Sequence, residues 1–357
     1  MKWSWSLGKI AGIELKVHAT FFLLLAWVGW THWADGESLA AAIAGITFIL
    51  SLFACVVLHE LGHALTARRY GIRTRDIVLL PIGGVARLER IPEDPRQELW
   101  VAVAGPAVNV VIATVLFTII SLTGSWQPVG GLTVSGGSFL ERIAIANVIL
   151  VIFNLIPAFP MDGGRMLRAV LAMRLEYVKA TQIAATVGQG LAFVFALIGL
   201  WAAPFLLFIA FFVWIGASQE ASMVQIKHAL GGIPVGRVMI TEFVTLHPEE
   251  PLTRAIALTL AGSQKDFPVV VGDRVVGVLT QPTLMRALAE KGEHAQTASV
   301  MEQSFELADV SEMIEPVFIR LRARKCSTLP VLQAGRLVGL LTLENVGEFL
   351  SIQSAMR

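Results

Sequence analysis

The chain has 357 residues, 55% of them hydrophobic and 15% charged, against roughly 25% charged in an ordinary soluble domain. The net charge of +1 comes without any Lys/Arg-rich run, so nucleic acid is not expected as a partner. The two cysteines, Cys55 and Cys326, make neither a disulfide framework nor a Cys-based zinc site.

Charge is sparse up to about position 230 and ordinary beyond it, which predicts a membrane domain over 1–220 followed by a soluble one. Met1 to Lys16 carries Lys2, Lys9 and Lys16 but no compact apolar core ending in a cleavage signature, so the first span is expected to stay attached. A bilayer crossing needs about 20 apolar residues, and such stretches lie near 17–34, 39–58, 99–121, 140–157, 183–200 and 202–218, the last two joined by a tight turn at 202–204. Lys and Arg gather before the first span, between the second and third, and after the fourth. The alternate loops 35–38, 122–139 and 201–204 have none. Positive residues accumulate in cytoplasmic loops, so both termini and the soluble domain are expected in the cytoplasm of a multi-pass cell-membrane protein.

Between the second and third spans, Ile77 to Leu88 reads as two short strands around Gly83-Gly84, lying against the helices or dipping into the membrane. Past residue 234 the sequence repeats at an offset of 62. The segment from Phe267 to Thr280 matches that from Leu329 to Thr342, and Val238-Met239 matches Val300-Met301. Each unit reads as helix, strand hairpin, helix, with units over 234–290 and 296–352.

The chemistry-bearing segment is His59-Glu60-Leu61-Gly62-His63. On a helix the two histidines share a face and Glu60 lies on the adjoining side. Neutral imidazoles suit zinc, whose open position lowers the pKa of bound water to about 7, and Glu60 is the candidate general base. A His/Glu pair capping an apolar helix is the alternative. Yet each ionisable group costs roughly 2.5–3.5 kcal/mol at mid-bilayer depth, less near the surface, and a metal offsets that cost.

Catalytic zinc takes three protein ligands. Asp162, the sole acidic residue between Glu141 and Glu176, returns to the same membrane face. Pro157 and Pro160 interrupt the helix before it and Gly163-Gly164 permits a sharp turn, so Asp162 is the candidate third ligand, with a helix cap as its alternative role. Asn154 can donate to a developing oxyanion or bridge neighbouring helices. A zinc transporter would need polar residues along both halves of its path, which the last two spans lack, and a channel would not require Glu60 between the histidines.

These residues resemble the site-2 protease family of intramembrane metalloproteases over roughly 1–220. His59, Glu60 and His63 are similar to its H-E-x-x-H, Gly105-Pro106-Ala107-Val108-Asn109 to its G-P-x-x-N, and Asn154, Pro160, Asp162 and Gly163 to its Asn-Pro-Asp-Gly segment. The order of elements resembles the six-span branch that includes the bacterial sporulation-factor protease. The resemblance implies an α-helical polytopic membrane protein of about six spans with a short β-hairpin, one zinc on His59, His63 and Asp162, Glu60 as catalytic residue and Asn154 supporting the transition state. Its substrates would be membrane proteins cut within or beside the bilayer. The C-terminal repeat resembles a CBS-domain pair, an α/β module that in its family often binds adenine nucleotides and forms homodimers. The ribose-contacting aspartate of G-h-h-T-x-x-D is Thr283 in one unit and Asn345 in the other, so a structural or dimerising role competes with nucleotide binding.

Overall fold

The structure, a computed structural model, describes residues 3–34, 38–81, 83–89, 92, 94–124, 138–323 and 328–356. Cys326 and most of the uncharged 122–139 loop lie outside the described residues. Two units divide the chain, Met1–Ser222 and Met223–Arg357.

In the first unit the N-terminal segment forms a hairpin that its lysines alone did not announce. Strand β1 (Ser4–Ile10) pairs antiparallel with β2 (Ile13–His18) around Ala11-Gly12, both at positive φ. Strand β2 runs parallel to β3 (Thr74–Leu80), which returns antiparallel as β4 (Gly83–Leu88), in the order β1-β2-β3-β4. The expected Ile77–Leu88 hairpin is present, with Gly83 and Gly84 opening β4. The alternation of side chains divides the sheet into two faces. Leu15, Val17, Ile77 and Leu79 pack with Phe21, Phe53, Val57 and Leu61. On the other face Lys16 Nζ lies 3.1 Å from Asp76 Oδ2, and Arg87 holds both Asp76 oxygens, through Nε at 2.5 Å and through Nη2.

Helices fill all six predicted apolar stretches: α1 (Ala19–Ala34), α2 (Leu39–Arg69), α3 (Pro95–Thr123), α4 (Phe139–Leu155), then, after the short α5 (Asp162–Ala172), α6 (Tyr177–Trp201) and α7 (Phe205–Leu230). Helices α2, α3, α6 and α7 are long and apolar enough to cross a membrane, while α1 and α4 have 16 and 17 residues. The starts follow local chemistry. Ser38 caps α2, Asp94 with Pro95 opens α3, and Ser138 and Glu141 form a reciprocal capping box on α4.

The second unit shows the repeat in three dimensions. Helix α8 (Leu252–Ala261) precedes β5 (Phe267–Val271), β6 (Arg274–Leu279) and α9 (Gln281–Lys291). Then β7 (Ala308–Asp309) and α10 (Ile314–Ala323) precede β8 (Thr328–Gln333), β9 (Arg336–Thr342) and α11 (Leu343–Ala355). The hairpins turn at Gly272-Asp273 and Ala334-Gly335, as the sequence predicts. Ile240 bridges Leu340 and Glu302 bridges Val278, while Met239 packs on Gly339 and Met301 on Gly277, so equivalent residues exchange equivalent contacts between repeats.

Candidate metal centre

Helix α2 presents His59 and His63 one turn apart, and the kinked segment after α4 brings Asp162 to them at the first position of α5. Three atoms converge. His59 Nε2 and His63 Nε2 are 3.0 Å apart, and Asp162 Oδ2 lies 3.2 Å from the first and 3.1 Å from the second. All three residues are buried, and they form the one such cluster among the described residues. The alternative capping role for Asp162 is not what the geometry shows, since the N-cap of α5 is Met161 and makes no side-chain cap bond.

Glycines make this convergence possible. A Cβ on Gly62 would stand 2.7 Å from Ala104 O, and one on Gly105 would collide with the His63 ring and stand 2.7 Å from His59 Nε2. Helices α2 and α3 can therefore touch only because both positions lack a side chain. A Cβ on Gly164 would meet Ala158 C and Phe159 N at 2.6 Å, so the turn that aims Asp162 inward needs glycine too.

The outer nitrogens of both imidazoles are fixed by α3. His63 Nδ1 is 2.7 Å from the carbonyl of Val101, which can only accept, so Nδ1 carries the proton. For His59 the assignment runs through two asparagines. Ile143 O accepts from Asn147 Nδ2 at 2.8 Å, turning Asn147 Oδ1 toward Asn109 Nδ2 at 2.7 Å, which leaves Asn109 Oδ1 facing His59 Nδ1 at 2.5 Å. Both Nδ1 atoms donate, so both Nε2 lone pairs point at the Asp162 carboxylate. With both imidazoles neutral, three acceptor atoms face one another there, an arrangement that suits a cation. Tetrahedral zinc with bonds of about 2.0–2.1 Å spaces its ligand atoms about 3.3 Å apart, close to the spacing found, and imidazoles oriented through their other nitrogen are its usual ligands. The donor set fits the metal.

Glu60, half-buried, accepts from Ala86 N of β4 at 3.2 Å, and a Cβ on Gly84 would crowd its Cγ at 2.9 Å. The catalytic candidate is thus held against the hairpin. Asn154 is not drawn into the cluster by any hydrogen bond present; its Nδ2 donates to Leu150 O at 3.0 Å within α4.

Sequence reasoning missed the polar supports around this site. Asn147 lies buried in the middle of the apolar α4, where a polar side chain often bonds to a neighbouring helix, and Asn109 proves to orient a histidine as well as bond across helices. Arg168, counted only as a topogenic charge, is fully buried. Its Nε lies 2.8 Å and its Nη2 2.5 Å from Glu98 Oε1, and its Nη1 lies 2.6 Å from Glu220 Oε1. The rings of Phe159 and Tyr177 stand 5.0 Å from its guanidinium. Arg168 thereby ties the Asp162 helix to α3, which orients both histidines.

Comparison with known proteins gives the family. Peptidase family M50 matches residues 47–197 and the CBS domain family matches 235–290. Zinc metalloprotease MJ0392 of Methanocaldococcus jannaschii is 32% identical over 353 residues, 99% of this chain and 97% of its own. Stage IV sporulation protein FB of Bacillus subtilis is 26% identical over 178 residues, 50% of this chain and 55% of its own. A solved structure, the site-2 protease from Methanocaldococcus jannaschii, shares 40% identity over 61% of this chain and 95% of its own, with a TM-score of 0.46. The chain belongs to peptidase family M50, the membrane-embedded site-2 proteases, and is a metalloprotease carrying a CBS domain.

Proposed function

We propose that the chain is an intramembrane zinc endopeptidase that cuts membrane-tethered proteins in or near their transmembrane segments. The observation that carries the reading is the convergence of His59 Nε2, His63 Nε2 and Asp162 Oδ2 with both histidine Nδ1 atoms already donating elsewhere. These three residues hold the zinc, which when bound polarises the scissile carbonyl and acidifies water.

Glu60 takes the proton from the attacking water and passes it to the leaving amine. A substrate helix has no free carbonyl until it unwinds. We infer that the unwound segment adds to β4, one of the two outer strands of the sheet, in the manner of β-augmentation. A strand that takes the Ala86 N–H frees Glu60 from it. Asn154 donates to the developing oxyanion after its amide leaves Leu150 O.

Charge distribution supports six spans, with both termini and the CBS pair in the cytoplasm. The pair contains a cavity of about 650 Å³, lined among others by Ile240, Phe243, Asp266, Thr342 and Asn345, which supports regulation by a small ligand. An adenine nucleotide is the ligand the family resemblance implies, and a homodimer through the pair is the assembly it implies. Among the described lining residues the one basic side chain, Lys265, is paired with Glu344 at 2.9 Å. Purified protein in lipid, given a panel of single-span substrates, tests the protease reading: cleavage lost on chelation and restored by zinc supports it, and cleavage indifferent to chelation contradicts it.

A further inference from the structure

One strand of the sheet, β1, leaves its apolar face largely exposed. Across the β1–β2 ladder Trp5 is paired with Val17, so the two share a face. Val17 is 3% exposed in the core against α1 and α2, while Trp5 on the same face is 57% exposed. Trp5 is not isolated. Its ring packs edge-on against Phe22 of α1 at 5.7 Å, and Phe22 and Leu23 are themselves exposed on that apolar helix. Trp3 and Leu7 are exposed on either side of it in the chain. The opposite face of the strand is polar: Ser6 pairs with Lys16, which reaches Glu14 and Asp76.

We propose that β1 lies in the interfacial layer of the bilayer, Trp5 toward the acyl chains and Ser6 with Lys16 toward water, as a shallow anchor that sets the depth of the whole sheet. Three features fix the occupant as lipid. The apolar surface of Trp5 continues the surface of α1, which faces lipid in a membrane-embedded protein. Tryptophan is the residue enriched at membrane–water boundaries. As the other outer strand, β1 also has backbone N–H and C=O groups along a free edge, which hydrocarbon cannot satisfy and the hydrated headgroup layer can. The consequence reaches the active site, because β4 at the far edge of the same sheet holds Glu60 through Ala86. A sheet pinned at the interface keeps that strand, and the peptide segment added to it, at one level near the membrane surface. This goes beyond the protease reading and holds whatever the substrate.

The test uses the full chain in phosphatidylcholine vesicles, with Cys55→Ala and Cys326→Ser as background and an environment-sensitive fluorophore on Trp5→Cys or Ser6→Cys. The expected result is strong loss of emission at position 5 with lipid carrying a shallow doxyl group and little loss with aqueous iodide, and the reverse at position 6. Equal iodide quenching at both positions overturns the proposal. So does protection of position 5 from both quenchers, which would mean that a second copy or another protein covers it. Should the cysteine-free background not fold, the emission lost from wild type on Trp5→Phe is measured with brominated lipid, and a lost component that the lipid does not quench overturns the proposal equally.

Discussion

Asn109 holds His59. Its Oδ1 lies 2.5 Å from His59 Nδ1, and its own orientation is set by Asn147, whose amide is anchored on a helix carbonyl. A backbone oxygen in α4 therefore decides which nitrogen of a histidine in α2 is free for a metal.

Asn109→Leu removes the acceptor and is expected to weaken zinc binding by about 10–100-fold, the usual effect of losing a partner behind a ligand. Asn147→Leu, one step further away, should weaken it less. Competition with a fluorescent chelator measures both, and equal affinity in all three proteins would show that the chain of amides does not orient the histidine.

Gly105→Ala places a methyl group among the imidazoles, where no flexible side chain can yield. The variant should lose bound zinc while Gly190→Ala, a helical glycine with open space around its position, keeps it. Metal content after purification reads the difference.

Arg168→Met leaves Glu98 buried without its cation. Breaking a buried pair from one side costs about 3–5 kcal/mol, so the midpoint of unfolding in detergent should fall markedly. Glu220→Gln, at a partner whose side chain is 24% exposed, should lower it less.

The sheet carries a pH dependence of its own. Hydrogen bonds from Arg87, joined by Lys16, hold the Asp76 carboxyl below the ordinary carboxylate range. A carboxyl depressed by folding contributes stability above its unfolded value of about 3.9, and that contribution is lost as pH falls through the folded value. The advantage of wild type over Arg87→Leu should be constant near neutrality and shrink below about pH 4, as acid unfolding curves would show.

Much of this was legible because membrane helices and metal ligands obey strong rules. Apolar length marked the helices, and the spacing of His59 and His63 put them on one face. Proline and glycine around Asp162 announced a turn that the structure supplies. The β1–β2 hairpin was not seen, since Trp3, Trp5 and Leu7 alternate with polar residues in a segment read only for its lysines. Asn147, Glu98 and Arg168 were invisible as site supports because their partners lie 38 to 70 residues away. Spacing along the chain gives no sign of such contacts, and only the packing of helices brings them together.

The most direct measurement compares wild type with Glu60→Gln for cleavage of a membrane-tethered substrate, with bound zinc assayed in both. Glu60 touches none of the three ligand atoms through a hydrogen bond present here, so the account predicts that the variant keeps its zinc and loses cleavage. A variant that retains zinc and cuts as well as wild type would contradict the assignment of Glu60 as the base, and with it the proposed mechanism.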